Sequence, residues 1–172
     1  MTLEQLVAIE DIKQLKYRYI RAMDSHDWPL MATCFAEDAT AAFASGLYSM
    51  DGREEILEFF RTTITDGLVS SHVVTHPEIS FVSDDRATAI WRLQDVVHFQ
   101  VANAAVKSTE VTGGEELRGA AYYYDEYVRL EGRWKIQHSG YERIFRQVRP
   151  ASDLPNTTLT VNPTLGRRAD WP

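Results

Sequence analysis

The stretch RATAIWRLQDVVHFQV, residues 86–101, sets the expectation for the fold of this chain. Polar and apolar side chains alternate along it, which is typical of a strand with one buried face. The row predicted to be buried contains one carboxyl group, that of Asp95. Burying a carboxyl group is costly unless it is paired or does chemistry, so Asp95 is a candidate site residue. The alternative is a buried aspartate that a neighbouring hydroxyl or amide satisfies. The apolar members of the row are Ala87, Ala89, Trp91, Leu93, Val97 and Phe99.

Three further strand-like runs accompany this stretch, at 72–82, 117–130 and 133–147. Short polar or glycine-containing segments at 83–85 and 131–132 are typical of turns between paired strands. The second half of the chain is therefore predicted to be an antiparallel sheet.

The first half of the chain is predicted to be mainly helical. Apolar residues recur at three- and four-residue steps through residues 3–23, which predicts a long helix that ends near Asp24. Asp27 is suited to cap a second helix, whose apolar side would extend to Phe35. A third helix is predicted after Gly52.

The order of these elements predicts an α+β fold. Residues 39–44 and 47–50 are expected to add a short hairpin before the third helix. Helices that cover one face of a strongly curved antiparallel sheet leave a cone with an open mouth, which suits a small molecule. We expect one domain over residues 1–148 and a tail, 149–172, that packs on the domain or on a neighbouring subunit.

The composition of the chain limits the kinds of molecule that it is expected to bind. The chain has 172 residues, with 18 Lys and Arg against 25 Asp and Glu, for a net charge of -7. This balance argues against nucleic acid or an anionic membrane as a partner, because both need a basic surface. A lone cysteine, Cys34, excludes an internal disulfide. With no apolar run of spanning length and no secretory pattern at the N-terminus, we expect a cytoplasmic protein.

Taken singly, the other polar candidates have ordinary explanations. Tyr19 fits a core tyrosine, Asp24 a helix end, His72 a structural strand histidine and Arg143 a surface cation. His72 and His76 are spaced as a ligand pair only on a helix, so we expect no metal site. Nucleotide-binding, P-loop, serine-hydrolase and zinc-protease motifs are missing from the sequence. We therefore expect any reaction to proceed by acid–base catalysis without a cofactor.

A resemblance joins these residues. The chain resembles the NTF2-like superfamily of α+β cones, in its SnoaL-like branch, which includes scytalone dehydratase, bile-acid 7α-dehydratase, hexachlorocyclohexane dehydrochlorinase and ketosteroid isomerases. The likeness extends over about residues 3–148. Its matching stretches are Ile12 to Tyr19, Asp24, His72 with Pro77 to Ile79, Ala87 to Ala89 with Trp91, and Tyr127 to Ile136.

The resemblance, strongest to bile-acid 7α-dehydratases, implies a catalytic set of Tyr19, Asp24, His72, Asp95 and Arg143. It implies that His72 is the general base, with Asp24 fixing its tautomer. Tyr19 would donate to a carbonyl or to a departing hydroxyl. Asp95 would protonate the leaving group, and Arg143 would stabilise negative charge.

The resemblance implies a cofactor-independent, dehydratase-type lyase that acts on a hydrophobic polycyclic or aromatic substrate. The loop at 107–116 and the tail would close the mouth of the cone, and the chain would form a homo-oligomer, with a trimer favoured. Other reactions remain open: release of formaldehyde from an aryl-propane diol, ketosteroid-type isomerisation, polyketide cyclisation, or ligand binding without catalysis. The residues expected to contact the substrate are Met23, Phe43, Trp91, Phe99 and Tyr123.

Overall fold

The structure, a computed structural model, describes residues 1–107 and 111–161 and has the predicted α+β architecture. Helices pack against one face of a curved, open six-stranded sheet. The helices are α1 (Leu3–Asp24), α2 (Trp28–Ala32) and α3 (Arg53–Thr63). The strands are β1 (Phe35–Phe43), β2 (Tyr48–Asp51), β3 (Leu68–Ser83), β4 (Arg86–Phe99), β5 (Glu115–Leu130) and β6 (Arg133–Arg149).

The sheet has the strand order β2-β1-β6-β5-β4-β3. Its neighbours are antiparallel as expected, except that β1 runs parallel to β6. Ala42 pairs with Gly140 there, and a Cβ at Gly140 would lie 2.9 Å from the Ala42 carbonyl oxygen. The sequence pattern shows that β1 is a strand but not which strand it joins, so this parallel pair was not predicted.

Helix α1 begins with a capping box, in which Thr2 and Gln5 satisfy each other's backbone amides. Its buried face lies on the concave side of the sheet and contains Ile12, Leu15 and Tyr19, as the periodicity predicted. One member of this face is charged: Lys16 is completely buried. The stripe that looked apolar in sequence therefore includes a cation.

Helix α2 is shorter than expected. Asp27 caps it, accepting a hydrogen bond from the Leu30 amide at 2.9 Å, but the helix ends at Ala32. Phe35, expected on the apolar side of this helix, is instead the first residue of β1. Phe35 is buried in either arrangement, so its hydrophobicity alone could not decide between them.

Bulges bend the long strands. The β3–β4 register shifts between Thr75 and Glu78, where His76 has a φ of 50°, and β5–β6 has two further shifts. His76 is exposed at its bulge, whereas His72 lies on the concave face opposite Asp95. The two histidines therefore do not act as a pair.

In the described ranges, no helix is both long and apolar enough to cross a membrane. Strand β6 continues to Arg149, and a short 3-10 helix, Ala151–Asp153, follows. The role predicted for the tail, packing on the domain or on a neighbouring subunit, stays a prediction. Residues 162–172 of that tail lie outside the described residues, as do residues 108–110 of the loop predicted to close the mouth.

The packing of α1 on the sheet predicts that alanine substitutions at two positions of this helix differ in their effect on stability. Ile12 is fully buried, so Ile12→Ala should lower the free energy of unfolding by about 2–5 kcal/mol through lost burial and a cavity. Leu6 is 49% exposed on the same helix, and Leu6→Ala should cost less than about 0.5 kcal/mol. Urea denaturation of both variants tests this; equal losses would contradict the packing described here.

Candidate active site

A cavity of about 130 Å³ lies between the concave face of the sheet and the helices. Most of its wall is apolar and aromatic, and its polar groups occur in a few clusters. This arrangement is typical of a small-molecule site. Its lining includes Tyr19, Met23, Phe43, Phe59, Phe60, Ile64, Leu68, Ser70, His72, Leu93, Asp95, Phe99, Val106, Tyr123, Tyr141 and Arg143.

Asp24 and His72 form a hydrogen-bonded pair at this cavity. Asp24 is the last residue of α1, and its Oδ1 lies 2.6 Å from His72 Nδ1. Since a carboxylate accepts, Nδ1 carries the proton in this pair, which leaves Nε2 as the ring nitrogen with a free lone pair. The His72 side chain is 11% exposed and lines the cavity. The arrangement is that of a general base held in one tautomer.

The Asp24 carboxylate has two further donors on β3. The His72 amide donates to Oδ2 at 2.8 Å, and the Ser70 hydroxyl donates to Oδ1 at 2.8 Å. These bonds fix both the end of α1 and the start of β3 around the same carboxylate. The imidazole is therefore oriented by backbone as well as by side-chain contacts.

Asp95 is not the isolated carboxyl group that the apolar row suggested. Arg143 donates to both of its oxygens, from Nη1 at 2.6 Å and from Nη2 at 2.7 Å. Both oxygens act as acceptors in this bidentate pair, so neither carries a proton to give away. The role predicted for Asp95, as the acid that protonates a leaving group, stays a prediction. The sequence could not indicate this pairing because the two residues are on different strands.

The Asp95–Arg143 pair depends on a glycine. A Cβ at Gly119, which lies between the two on β5, would overlap Arg143 Nη1 and approach Asp95 Oδ1 to 2.8 Å. Arg143 also lies over the Tyr141 ring, 5.0 Å from its centroid. Burial opposes the guanidinium charge, but the hydrogen bonds and charge of Asp95 outweigh burial and raise the pKa of Arg143. Arg143 therefore stays cationic and keeps further N–H groups for a ligand.

Tyr19 lines the same cavity and is completely buried. Burial raises the pKa of its phenol well above the ordinary range, and the nearby Tyr123 hydroxyl opposes this shift. Burial likewise raises the pKa of Tyr123. Both hydroxyls are therefore donors that resist losing their protons. Among the described residues, the Tyr19 hydroxyl makes no hydrogen bond of ordinary geometry.

Of the residues expected to contact substrate, Met23, Phe43, Phe99 and Tyr123 line the cavity, and Trp91 does not. Trp91 is on the predicted face of β4, but it lies farther along the strand, where its ring meets Tyr17 of α1 edge-on at 6.2 Å. The alternation of side chains along β4 correctly predicted the face on which Trp91 lies. The position of the helix over that face decides which residues reach the cavity.

Sequence reasoning missed several residues of the site. Ser70 shares the concave face with His72, two positions away, so strand parity could have identified it. Tyr141 and Lys16 had no such signal, since a bulge shifts the β5–β6 register and Lys16 reads as a solvated helix residue. Within residues 1–107 and 111–161, no three His, Cys, Asp or Glu side chains are grouped as metal ligands.

Comparison with protein families adds a match over most of the chain. A family model described as a SnoaL-like domain matches residues 4–140. The matched segment contains Tyr19, Asp24, His72 and Asp95, but it ends before Arg143. The matched segment is well over half of the chain.

Solved structures with the same fold cover most of the chain at low identity. A candidate scytalone dehydratase from Novosphingobium aromaticivorans DSM 12444 is 20% identical, with a TM-score of 0.71, over 86% of this chain and 91% of its own. A type 2 LinA hexachlorocyclohexane dehydrochlorinase is 20% identical, with a TM-score of 0.72, over 86% and 92%. A type 3 enzyme from Novosphingobium barchaimii LL02 is 20% identical, with a TM-score of 0.71, over 86% and 93%. These likenesses confirm the predicted NTF2-like fold.

The ion pair in the cavity predicts non-additive effects of substitution. Asp95→Leu should lower the free energy of unfolding by about 3 kcal/mol, because it leaves a largely buried guanidinium without a partner. Arg143→Met should cost a similar amount for the converse reason. The double variant should recover most of this loss, since neutral groups replace the whole pair. Urea denaturation of the three variants measures the coupling; additive losses would show that the pair is not formed.

Proposed function

We propose that this chain, which belongs to the SnoaL-like domain family, is a cofactor-independent lyase that removes a proton from a hydrophobic aromatic substrate and expels water. The Asp24–His72 hydrogen bond at the cavity wall is the observation that carries this proposal. A ligand-binding module has no need of an imidazole whose ring nitrogen is hydrogen-bonded to a carboxylate that accepts two further hydrogen bonds from the same strand. A general base does, because both its tautomer and its direction must be set.

In the proposed reaction, His72 Nε2 accepts a proton from a carbon beside a carbonyl group. The Asp24 carboxylate stabilises the imidazolium that forms. As the carbon–carbon double bond develops, the bond to the hydroxyl on the next carbon breaks. The departing hydroxyl receives a proton, and the products are an unsaturated carbonyl compound and water.

The imidazolium is the best source of the proton that leaves with water. Asp95 is engaged by Arg143 through both oxygens, and burial raises the pKa of Tyr19 far above that of an imidazole. In this mechanism His72 takes the proton from carbon and returns it to oxygen, so no other group changes charge. Tyr19 donates a hydrogen bond without losing its proton.

Arg143 would stabilise the negative charge that develops on the substrate oxygen. Two of its N–H groups are held by Asp95, and its side chain is 23% exposed at the cavity, so the remaining N–H groups are available. Asp95 would act as a positioning residue that keeps the guanidinium in place. This assignment replaces the acid role that the resemblance implied for Asp95.

The cavity supports a substrate with one ring rather than several. An apolar cavity of about 150 Å³ holds a benzene-sized molecule, and the volume here is about 130 Å³. Phe43, Phe60 and Tyr141 line this space, and the Phe43 ring packs against the other two. A monocyclic aryl ketone therefore fits better than a steroid.

A matched pair of histidine variants tests proton abstraction. In deuterated buffer the protein should exchange the α-protons of propiophenone, which has no leaving group, and His72→Ala should slow this exchange at least about 100-fold. His76→Ala is the control, since His76 is on the same strand but exposed, and it should exchange at the unsubstituted rate. Proton magnetic resonance measures the rates. Undiminished exchange in His72→Ala would refute the mechanism.

One substrate separates the competing reactions. From 3-hydroxy-1-phenylpropan-1-one, elimination of water gives phenyl vinyl ketone, whereas carbon–carbon cleavage gives acetophenone and formaldehyde. Isomerisation leaves the mass unchanged. Mass spectrometry should detect phenyl vinyl ketone with the unsubstituted protein and with His76→Ala but not with His72→Ala. Formation of acetophenone would replace the dehydratase proposal by the C–C lyase alternative.

The outer face of the sheet supports a homotrimer. Val73 is 49% exposed there, Tyr122 37%, Tyr124 44% and Phe145 54%. These apolar side chains come from β3, β5 and β6, and exposed apolar groups on one face can mark a site of contact with another protein. Such a surface suits contact with further copies of the chain.

Light scattering on a sizing column tests the assembly. The unsubstituted chain should have the mass of three copies, and Phe145→Lys should lower it because the charge would be buried in the contact. Leu47→Lys is the control, since Leu47 is exposed in the β1–β2 turn and should leave the mass unchanged. A monomer mass for the unsubstituted chain would rule out the trimer.

A further inference from the structure

A second charged pair lies beneath the cavity. Lys16 Nζ of α1 is 2.7 Å from Asp125 Oδ2 of β5, and both side chains are completely buried. Neither residue lines the cavity, and the mechanism above uses neither of them. Replacing such a pair with apolar residues is often neutral or stabilising, so stability alone does not account for it.

Asp125 has hydrogen-bond partners besides Lys16. Asp125 also accepts hydrogen bonds from the Tyr127 hydroxyl at 2.8 Å and the Ser139 hydroxyl at 2.8 Å. The carboxylate is therefore satisfied from several sides, and Lys16 contributes only one of its contacts. The rest of the ammonium group lies against aromatic rings.

Those rings belong to the cavity wall. Lys16 Nζ is 3.4 Å from the centroid of Tyr123 and 4.9 Å from that of Tyr19. A cation on the face of an aromatic ring is attracted by the ring's electron density, and more strongly in a site without water. It also draws electron density from the ring, which strengthens the phenol as a hydrogen-bond donor. The two tyrosines therefore share one cation, which lies close to both of their rings.

The surroundings of the Tyr19 hydroxyl indicate the function of the two tyrosine donors. This hydroxyl is buried and makes no hydrogen bond of ordinary geometry to the described residues, although the Tyr123 hydroxyl is close enough to oppose the rise in its pKa. A buried donor left in this state is costly. A ligand oxygen at the cavity would satisfy it. Burial keeps both phenols protonated, so they present hydrogens rather than charge to that oxygen.

We infer that Lys16, held by Asp125, is a positioning residue that sets Tyr19 and Tyr123 as a donor pair for a substrate oxygen that is anionic or becomes so. The inference rests on the proposed function and adds to it the class of substrate: an aryl compound whose carbonyl or phenolic oxygen gains negative charge. The donor pair would complement Arg143, which serves the same charge from β6.

A binding assay tests the inference without turnover. The probes are 4-nitrophenol, at a pH where it is ionised, and 4-nitrotoluene, its neutral counterpart of similar shape. The unsubstituted protein should bind the phenolate more tightly. Lys16→Met should reduce the ratio of the two affinities about tenfold, because it removes the cation that strengthens the donors. Calorimetry measures both affinities.

Two further variants separate positioning from folding. Lys16→Met combined with Asp125→Asn replaces the ion pair by neutral groups of similar size, so it should fold and show the same reduced ratio. Lys13→Met is the control, because Lys13 is on the same helix but is partly exposed and paired with Glu10. Its ratio should equal that of the unsubstituted protein.

Three outcomes would contradict the inference. If the ratio is unchanged in a folded Lys16 variant, or if the unsubstituted protein does not prefer the phenolate, the inference is wrong. If the double variant does not fold, the pair belongs to the fold and the inference is also wrong. Undiminished exchange in His72→Ala bears only on the lyase mechanism, so the two proposals can fail separately.

Discussion

The carboxylate of Asp24 is the point on which the arrangement of the site depends. It ends α1 and accepts hydrogen bonds from the Ser70 hydroxyl and from the amide and ring of His72. A single partly buried group thus joins the helix layer to the sheet and directs the imidazole into the cavity. Because hydrogen bonds to a charged acceptor are strong, these contacts hold the helix end and the strand in one relation to each other.

Two carboxylates that are buried, those of Asp95 and Asp125, also have several donors. Asp95 is satisfied by Arg143, and Asp125 by Lys16, Tyr127 and Ser139. Each pair brings a cation close to the cavity while keeping the local net charge near zero. An apolar interior can therefore contain strong hydrogen-bond donors without the cost of an unpaired charge. Such a site is suited to charge that develops during a reaction.

The shape of the sheet explains how these pairs come together in space. Bulges bend the long strands, and the parallel pairing of β1 with β6 places α2 and α3 over the concave face. Close approach is permitted by small residues: Gly140 lies against Ala42, and Gly119 lies beneath the Asp95–Arg143 pair. The cavity is what remains between the curved sheet and the helices that cover it.

The sequence by itself determined the α+β class, the long helix, the main strands and the face on which Asp95 lies. These features follow from local periodicity, because burial of alternate or every third to fourth residue leaves a pattern along the chain. The resemblance also singled out Asp24, His72 and Arg143, and it implied an acid role for Asp95 where the proposed mechanism has a positioning role. Only the tertiary structure decided that Asp95 has Arg143 as its partner, that Trp91 is covered by α1 and that Lys16 is buried against Tyr123. Each of these depends on which groups from distant parts of the chain satisfy one another. A pattern within a single strand or helix records that a residue is buried, but it carries no information about the partner that makes its burial possible.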